Sequence, residues 1–212
     1  MRSVVSIIDF PRDILHPFLF FVVRSIHVGR IMYPVTYMRK IKLYIAMSLN
    51  GKIAKADGAV DWLDAMPKPD GSDYGYNDFY NSVDTTIQGY NTYQQIMSWG
   101  IEFPYKGKKN YVLTSDTSRR DNRDVKFISG NHIEFVKNLK EMDGQDIWLI
   151  GGGATNAALL NAKLIDEIYL YVMPIILNEG VDIFAILEND KSIELKHSKT
   201  YTTGVVEMIY QL

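Results

Sequence analysis

A predicted strand that runs into three glycines and then into a helix is the clearest chemical signal in this sequence. Residues 147–150 are apolar, and Gly151, Gly152 and Gly153 follow them directly. Glycine has no Cβ, so the N–H groups of such a turn and the positive end of the next helix are accessible to a phosphate. The pattern is neither G-x-G-x-x-G nor a P-loop, so a plain turn between strand and helix is the alternative.

A second turn of this kind precedes it in the chain. Residues 83–88 predict a strand that ends at Gly89, and Thr92 is predicted to open a helix. A threonine at a helix start offers a hydroxyl and an N–H to an anion, and it also serves as a helix cap. Both roles are compatible with the sequence.

Bulk composition narrows the class of protein. The 212 residues, 47% of them hydrophobic, predict one catalytic-sized domain. Lys plus Arg (23) nearly balance Asp plus Glu (25), so no global field favours nucleic acid or an anionic membrane surface. The chain has no cysteine, so disulfides and thiolate metal sites are excluded, and this composition is compatible with the cytoplasm. Its four histidines are not spaced as metal ligands usually are. We therefore expect no metal.

The first 37 residues differ from the remainder. They contain none of the 15 lysines but four of the eight arginines. The uncharged window at residues 14–23 is much shorter than the roughly 20 apolar residues that span a bilayer, so no membrane anchor is expected. We expect residues 1–37 to be a poorly ordered N-terminal extension, with a short packed helix as the alternative, and residues 38–212 to be the functional domain.

Strand and helix patterns alternate along this body. They predict an α/β fold, a three-layer α/β/α sandwich on a mixed, mostly parallel central sheet. The predicted strands include 41–47, 83–88, 111–114, 125–128 and 165–173, and a hairpin joins 192–201 to 205–211 about Gly204. The predicted helices are 73–82, 92–97, 133–142 and 155–162.

Four segments, in this order, resemble the dihydrofolate reductase-like superfamily, and specifically the reductase domain of the bacterial bifunctional riboflavin-biosynthesis deaminase/reductase. They are SLNGKIA at 48–54, GYNTY at 89–93, IGGG at 150–153, and DEIYL at 166–170 with PIILNEG at 174–180. The resemblance covers nearly all of residues 38–212. It implies an NADPH-dependent reductase, and the absence of cysteine rules out a zinc deaminase signature within these residues.

The resemblance also implies the site residues. The cofactor contacts it implies are Ala46, Gly89, Thr92, Gly151, Gly152, Gly153, Ala154 and Thr155. The candidate catalytic residues are Ser48, Asn50 and Lys52, on the loop that would border the nicotinamide and the substrate. Lys52 could face a phosphate or solvent. Trp62 is either a packed lid residue or a stacking platform.

Two departures concern phosphate recognition. Many relatives have arginine directly after the glycine of the first turn, where this chain has Tyr90. Asp116 lies where relatives often recognise the adenosine 2′-phosphate, and it would repel that group unless turned away. Positive charge could come from Arg119, Arg120, Arg123, Lys108 or Lys109, or these residues could simply be solvated.

The expected reaction is hydride transfer to a small heterocyclic or sugar-derived C=N or C=O substrate, with 5-amino-6-(5-phosphoribosylamino)uracil as the first candidate. Dihydrofolate reductase activity is one alternative, although neither Asp73 nor Asp78 aligns with the carboxylate that grips a pterin. A non-catalytic, nicotinamide nucleotide-binding regulator is another. A small-molecule substrate and a possible homodimer, as in relatives, are expected; nucleic acid and membrane are not.

Overall fold

A computed structural model describes residues 38–65 and 72–212, so the expectation for residues 1–37 lies outside the described residues. The strands are β1 (Ile41–Ser48), β2 (Lys52–Ala54), β3 (Val83–Gly89), β4 (Lys109–Leu113), β5 (Lys126–Ile128), β6 (Asp146–Gly151), β7 (Glu167–Met173), β8 (Val181–Asp182), β9 (Glu194–Thr200) and β10 (Val206–Gln211). The helices are α1 (Asp61–Asp64), α2 (Tyr76–Asn81), α3 (Tyr90–Ser98), α4 (His132–Glu141) and α5 (Gly153–Asn161).

Eight strands form one sheet in the order β5-β4-β3-β6-β1-β7-β10-β9. The pairings from β5 to β7 are parallel, and β10 pairs antiparallel with both β7 and β9. This confirms the predicted mixed, mostly parallel sheet and its terminal hairpin. A separate two-stranded sheet of β2 and β8 was not predicted, because strands of three and two residues are too short to show a periodicity.

Both faces of the sheet are covered, which confirms the predicted three-layer α/β/α sandwich. On one face, Leu43 and Leu149 of the central strands pack with Leu139 of α4 and Leu159 of α5. The other face is aromatic, and there Trp148 packs with residues of α2 and α3. Central strands buried on both faces carry nearly continuous apolar runs, and this is why the sequence revealed them.

Arg39 holds the amino ends of the central strands together, although an arginine just before a strand would be predicted to lie on the surface. Its side chain is 1% exposed and forms an ion pair with Asp84. Its guanidinium also donates to the carbonyl oxygen of Gln145 and to Thr85 Oγ1, each at 2.5 Å. A buried charge is stable when its partners satisfy it in this way, so the start of β1 is held against β3 and β6.

Three helices begin two or more residues from their predicted starts, and the first residue of α5 is Gly153 rather than the predicted residue 155. Helix α2 starts at Tyr76 rather than at residue 73, because Tyr74 and Gly75 both have positive φ, of 57° and 76°. Helix α3 starts at Tyr90, two residues before the predicted Thr92, with Gly89 as its N-cap. The expectation that Thr92 caps this helix is therefore wrong.

Candidate functional site

Strands β1 and β6 stop pairing before their carboxyl ends, and we call the space beyond their last pair the crevice. β1 and β6 pair as far as Leu43 and Leu149, whereas β1 continues beside β7 to Ser48. The indole Nε1 of Trp148 donates to the carbonyl oxygen of Tyr44 at 3.3 Å, just beyond the last β1–β6 pair. In open α/β sheets, ligands bind in such a crevice outside the carboxyl ends of the strands. The topology therefore marks this edge as the candidate site.

Two helices on opposite faces of the sheet start together at the carboxyl ends of β3 and β6, beside this crevice. Helix α3 follows β3 on the aromatic face, and helix α5 follows β6 on the aliphatic face. The Thr92 hydroxyl donates to the carbonyl oxygen of Gly151 at 3.3 Å. A Cβ on Gly89 would lie 2.5 Å from Thr155 Oγ1. The two glycine turns predicted from the sequence are thus in direct contact, and Gly89 is required by that contact.

The turn before α5 suits an anion. Gly151 and Gly152 have φ of +125° and +96°, a left-handed region that glycine adopts readily. Neither α3 nor α5 has a side chain capping its N-terminus. Within the part of the chain that the structure describes, the N–H groups of Ala154 and Thr155 make no hydrogen bond. Such unpaired donors at the positive ends of two helices are the kind of groups that can hold an anion.

Gly153 has a different reason to be glycine. A Cβ there would overlap the carbonyl oxygen of Asp182, because the segment containing β8 crosses the start of α5. Ala185 N donates to Gly153 O at 3.1 Å, and Asn156 Nδ2 donates to Ile183 O at 2.9 Å. The third glycine therefore admits a covering backbone segment, residues 181–185, which we call the strap.

Ser48 and Asn50, two of the predicted catalytic residues, are brought together by a hydrogen-bonded loop. Ser48 is fully buried, and its hydroxyl donates to Asn50 Oδ1 at 2.8 Å. The same hydroxyl accepts the N–H of Lys52 at 3.0 Å. Asn50 Nδ2 donates to Leu177 O at 2.7 Å, and Leu177 N donates to Asn50 Oδ1 at 3.1 Å. These contacts give both side chains a role in holding the loop beside the crevice.

Lys52 is tied to the strap. Its Nζ lies 2.5 Å from Asp182 Oδ1, and the Lys52 side chain is 22% exposed. The strap thereby connects the loop after β1 to the start of α5. Sequence reasoning missed this ion pair, because its partners are 130 residues apart and a carboxylate on a two-residue strand gives no periodic signal.

Ala46 lies on the aromatic face at the carboxyl half of β1. It is half-buried and packs against a cluster that includes Trp62, Tyr171 and Tyr201. Trp62 is 4% exposed, which favours the packed role over a stacking platform. Tyr44 contributes a phenol to this wall; its hydroxyl donates to the carbonyl oxygen of Tyr74 at 3.4 Å, and burial raises its pKa to about 12.

The carboxylates suggested for a pterin grip do not form one here. Asp73 accepts the N–H groups of Gly75 at 3.0 Å and Asn77 at 2.8 Å, which is a capping role at α2. Asp78 is exposed on the first turn of that helix. A buried carboxylate on this face, Glu207 of β10, accepts the hydroxyl of Tyr201 at 2.7 Å.

The described ranges also contain cavities of about 380 and 390 Å³ that lie away from the glycine turns, one beside Lys55 and Glu179 and the other beside Lys109 and Lys126. No group of three His, Asp or Glu residues among residues 38–65 and 72–212 could hold a metal ion. No helix in those residues is long and apolar enough to span a bilayer.

Comparison with known proteins gives a consistent family. Residues 39–207 match the RibD C-terminal domain. The uncharacterised Bacillus subtilis (strain 168) protein YwjB is 38% identical over 167 residues, which cover 79% of this chain and 95% of YwjB. A second uncharacterised protein of that strain, YyaP, is 31% identical over 186 residues, covering 81% of this chain and 94% of YyaP.

Solved structures show the same fold. A Shewanella sp. PV-4 protein provisionally assigned to riboflavin biosynthesis superposes with a TM-score of 0.73 at 28% identity, covering 81% of this chain and 98% of that one. The Thermotoga maritima diaminohydroxyphosphoribosylaminopyrimidine deaminase/5-amino-6-(5-phosphoribosylamino)uracil reductase superposes with a TM-score of 0.63 at 14% identity. It covers 82% of this chain, which spans 56% of that bifunctional chain.

Proposed function

This chain belongs to the RibD C-terminal domain family, and from that membership we propose that it is an NADPH-dependent reductase. Its substrate would be a small heterocyclic or sugar-derived C=N or C=O compound, as in 5-amino-6-(5-phosphoribosylamino)uracil reduction. The observation that carries the proposal is the meeting of two uncapped helix starts at the carboxyl ends of β3 and β6, beside the crevice between β6 and β1. The reductase domain implied by the sequence is residues 38–212.

The cofactor would lie across the two glycine turns. The N–H groups of Ala154 and Thr155 and the start of α3 would hold the diphosphate. Ala46, small and beside the crevice, would leave room for the nicotinamide. NADPH supplies the hydride, and the protein's task is to place the acceptor carbon against the nicotinamide and to exclude water.

The substrate would lie over the aromatic face near Ala46. The loop formed by Ser48, Asn50 and Lys52 would border it, and Asn50 would act on the reaction by fixing that loop through Leu177. The rings of Tyr44 and Tyr171 on this face would offer a planar heterocycle an aromatic surface. The capping role of Asp73 makes a folate substrate less compatible with this wall.

The assay that tests the reaction measures NADPH oxidation with 5-amino-6-(5-phosphoribosylamino)uracil and with dihydrofolate, side by side on the full chain. We expect turnover of the uracil compound and none of dihydrofolate. Turnover of dihydrofolate alone would contradict the proposed substrate class. If neither compound caused NADPH oxidation although NADPH bound tightly, the non-catalytic nucleotide-binding protein would be favoured.

A further inference from the structure

A buried carboxylate lies on the wall proposed for the substrate. Glu207 of β10 is 9% exposed, and its Oε2 accepts the hydroxyl of Tyr201 at 2.7 Å. Within the part of the chain that the structure describes, the carboxylate makes no other hydrogen bond and no ion pair. An ionised carboxylate offers about four acceptor positions, so most of its hydrogen-bonding capacity is unused. Because a buried anion without a cation is costly, packing alone does not account for this residue.

The groups around Glu207 do not supply the missing positive charge. Burial and the Glu207 carboxylate raise the pKa of the Tyr201 phenol, so this hydroxyl keeps its proton and acts as a neutral donor. Lys199 lies directly across from Glu207 on β9, but the two form no ion pair. The Nζ of Lys199 is 4.5 Å from the centroid of the Tyr201 ring, where cation–π attraction holds it. The charge of Glu207 therefore remains available to a further donor.

The same wall holds a second polar group without a partner. Trp62, Tyr171 and Tyr201 pack in one cluster, and Nε1 of Trp62 is buried there. No residue among 38–65 and 72–212 accepts its hydrogen. Buried polar groups with unused hydrogen-bonding capacity are rare in folded proteins. Two of them on one aromatic wall are typical of a surface that binds a polar ligand.

The register of the sheet places Glu207 in line with the position proposed for the nicotinamide. Ala46 of β1 pairs with Tyr171 of β7, and Tyr171 pairs with Glu207 of β10. The three residues thus form one row across the aromatic face. Adjacent strands are about 4.8 Å apart, so Glu207 lies roughly 10 Å from Ala46. A heterocycle whose reacting carbon meets the nicotinamide at Ala46 would extend over Tyr171 toward Glu207.

Resting on the proposed function, we infer that Glu207 determines which heterocycle is bound, by accepting a hydrogen bond from a ring N–H on the side away from the nicotinamide. A hydrogen bond to a charged acceptor is roughly twice as strong as a neutral one. A compound that lacks the N–H leaves the buried carboxylate without that donor. Heterocycles with free ring N–H groups therefore bind better than those whose ring nitrogens carry carbon substituents.

The test compares Glu207→Gln with Glu194→Gln, the same change at a glutamate of β9 whose side chain is 69% exposed. The full chain and both variants are titrated by calorimetry with 5,6-diaminouracil and with its 1,3-dimethyl derivative, in which both ring N–H groups are replaced. The wild type should bind diaminouracil about fivefold or more tighter than the dimethyl compound. Glu207→Gln should lose about fivefold or more in affinity for diaminouracil and less than about twofold for the dimethyl compound. Glu194→Gln should resemble the wild type.

Two further measurements separate this role from a structural one. In thermal melts, Glu207→Gln should have a midpoint at or above that of the wild type, because the substitution removes a buried charge that has no cation. Its Kd for NADPH should change less than about twofold, since the glycine turns lie on other strands. A lower midpoint together with weaker NADPH binding would show a structural role and overturn the inference.

The remaining outcomes are equally decisive. Equal losses for the two compounds in Glu207→Gln, or as large a loss for diaminouracil in Glu194→Gln, would overturn the inference. A wild type that binds both compounds equally well, or binds neither, would do the same. These results would leave NADPH binding intact, whereas a wild type that does not bind NADPH would overturn the proposed function itself.

Discussion

Gly152→Val is expected to abolish NADPH binding, with an affinity loss of at least about 100-fold, or about 2.7 kcal/mol. Gly152 has φ of +96°, and a Cβ there would lie 2.8 Å from Thr92 Oγ1. A branched side chain would fill the space beside the N–H groups at the start of α5 and push Thr92 out of its contact with Gly151. Calorimetric titration of NADPH into the variant measures the loss.

Gly107→Val is the matched control for that substitution. Gly107 has φ of +87°, so valine is strained there too, but nothing lies within 4 Å of its Cβ position. Gly152→Val should therefore lose at least as much stability in thermal melts as Gly107→Val, while Gly107→Val keeps its affinity for NADPH. Equal NADPH affinity in both variants would show that the turn before α5 does not hold the cofactor.

Asn50→Ala is expected to lower turnover about 10- to 100-fold, because small displacements of groups around a reacting centre have effects of that size. Alanine cannot make the two hydrogen bonds to Leu177, and it cannot accept the hydrogen bond from the Ser48 hydroxyl. The loop would then be free to shift relative to the crevice. The cofactor turns are built from other segments, so the Kd for NADPH should change less than about threefold.

Asn178→Ala provides the comparison for Asn50. Asn178 is an exposed asparagine next to Leu177 in the chain and is not part of the hydrogen bonds that hold the loop. Its loss should leave both turnover and NADPH affinity near the wild-type values. If Asn50→Ala weakened NADPH binding as much as it lowered turnover, the loop would contact the cofactor directly and the positioning role would be wrong.

The sheet and its two glycine turns were predictable because their signals are local. β6 is an apolar run followed by glycines, and β3 likewise ends at Gly89, so each turn can be read within a few residues. Parallel strands place their carboxyl ends on one edge, and this brings Gly89 and Gly151 together without knowledge of side-chain contacts.

The contacts between distant segments were not predictable. Lys52 reads as a polar loop residue, and only the fold brings it to Asp182. From the sequence, Asp116 was expected to repel a phosphate, whereas both of its oxygens accept hydrogen bonds or ion-pair contacts from Ser118 and Arg119. Thr92 reads as a cap, but the glycine before Tyr90 lets the helix start earlier. In each case the neighbouring sequence allowed several roles for the side chain, and a tertiary or loop contact determined which role it has.

The proposed function requires that this chain bind a nicotinamide dinucleotide across its two glycine turns. Calorimetric titration of NADPH into the full chain, without substrate, is the decisive experiment. We expect saturable binding at a single site per chain with a Kd of about 1–100 μM, which is in the range of ordinary KM values. Absence of binding at NADPH concentrations up to about 1 mM, where the free energy of binding would be weaker than about −4 kcal/mol, would show that the glycine turns do not bind this cofactor.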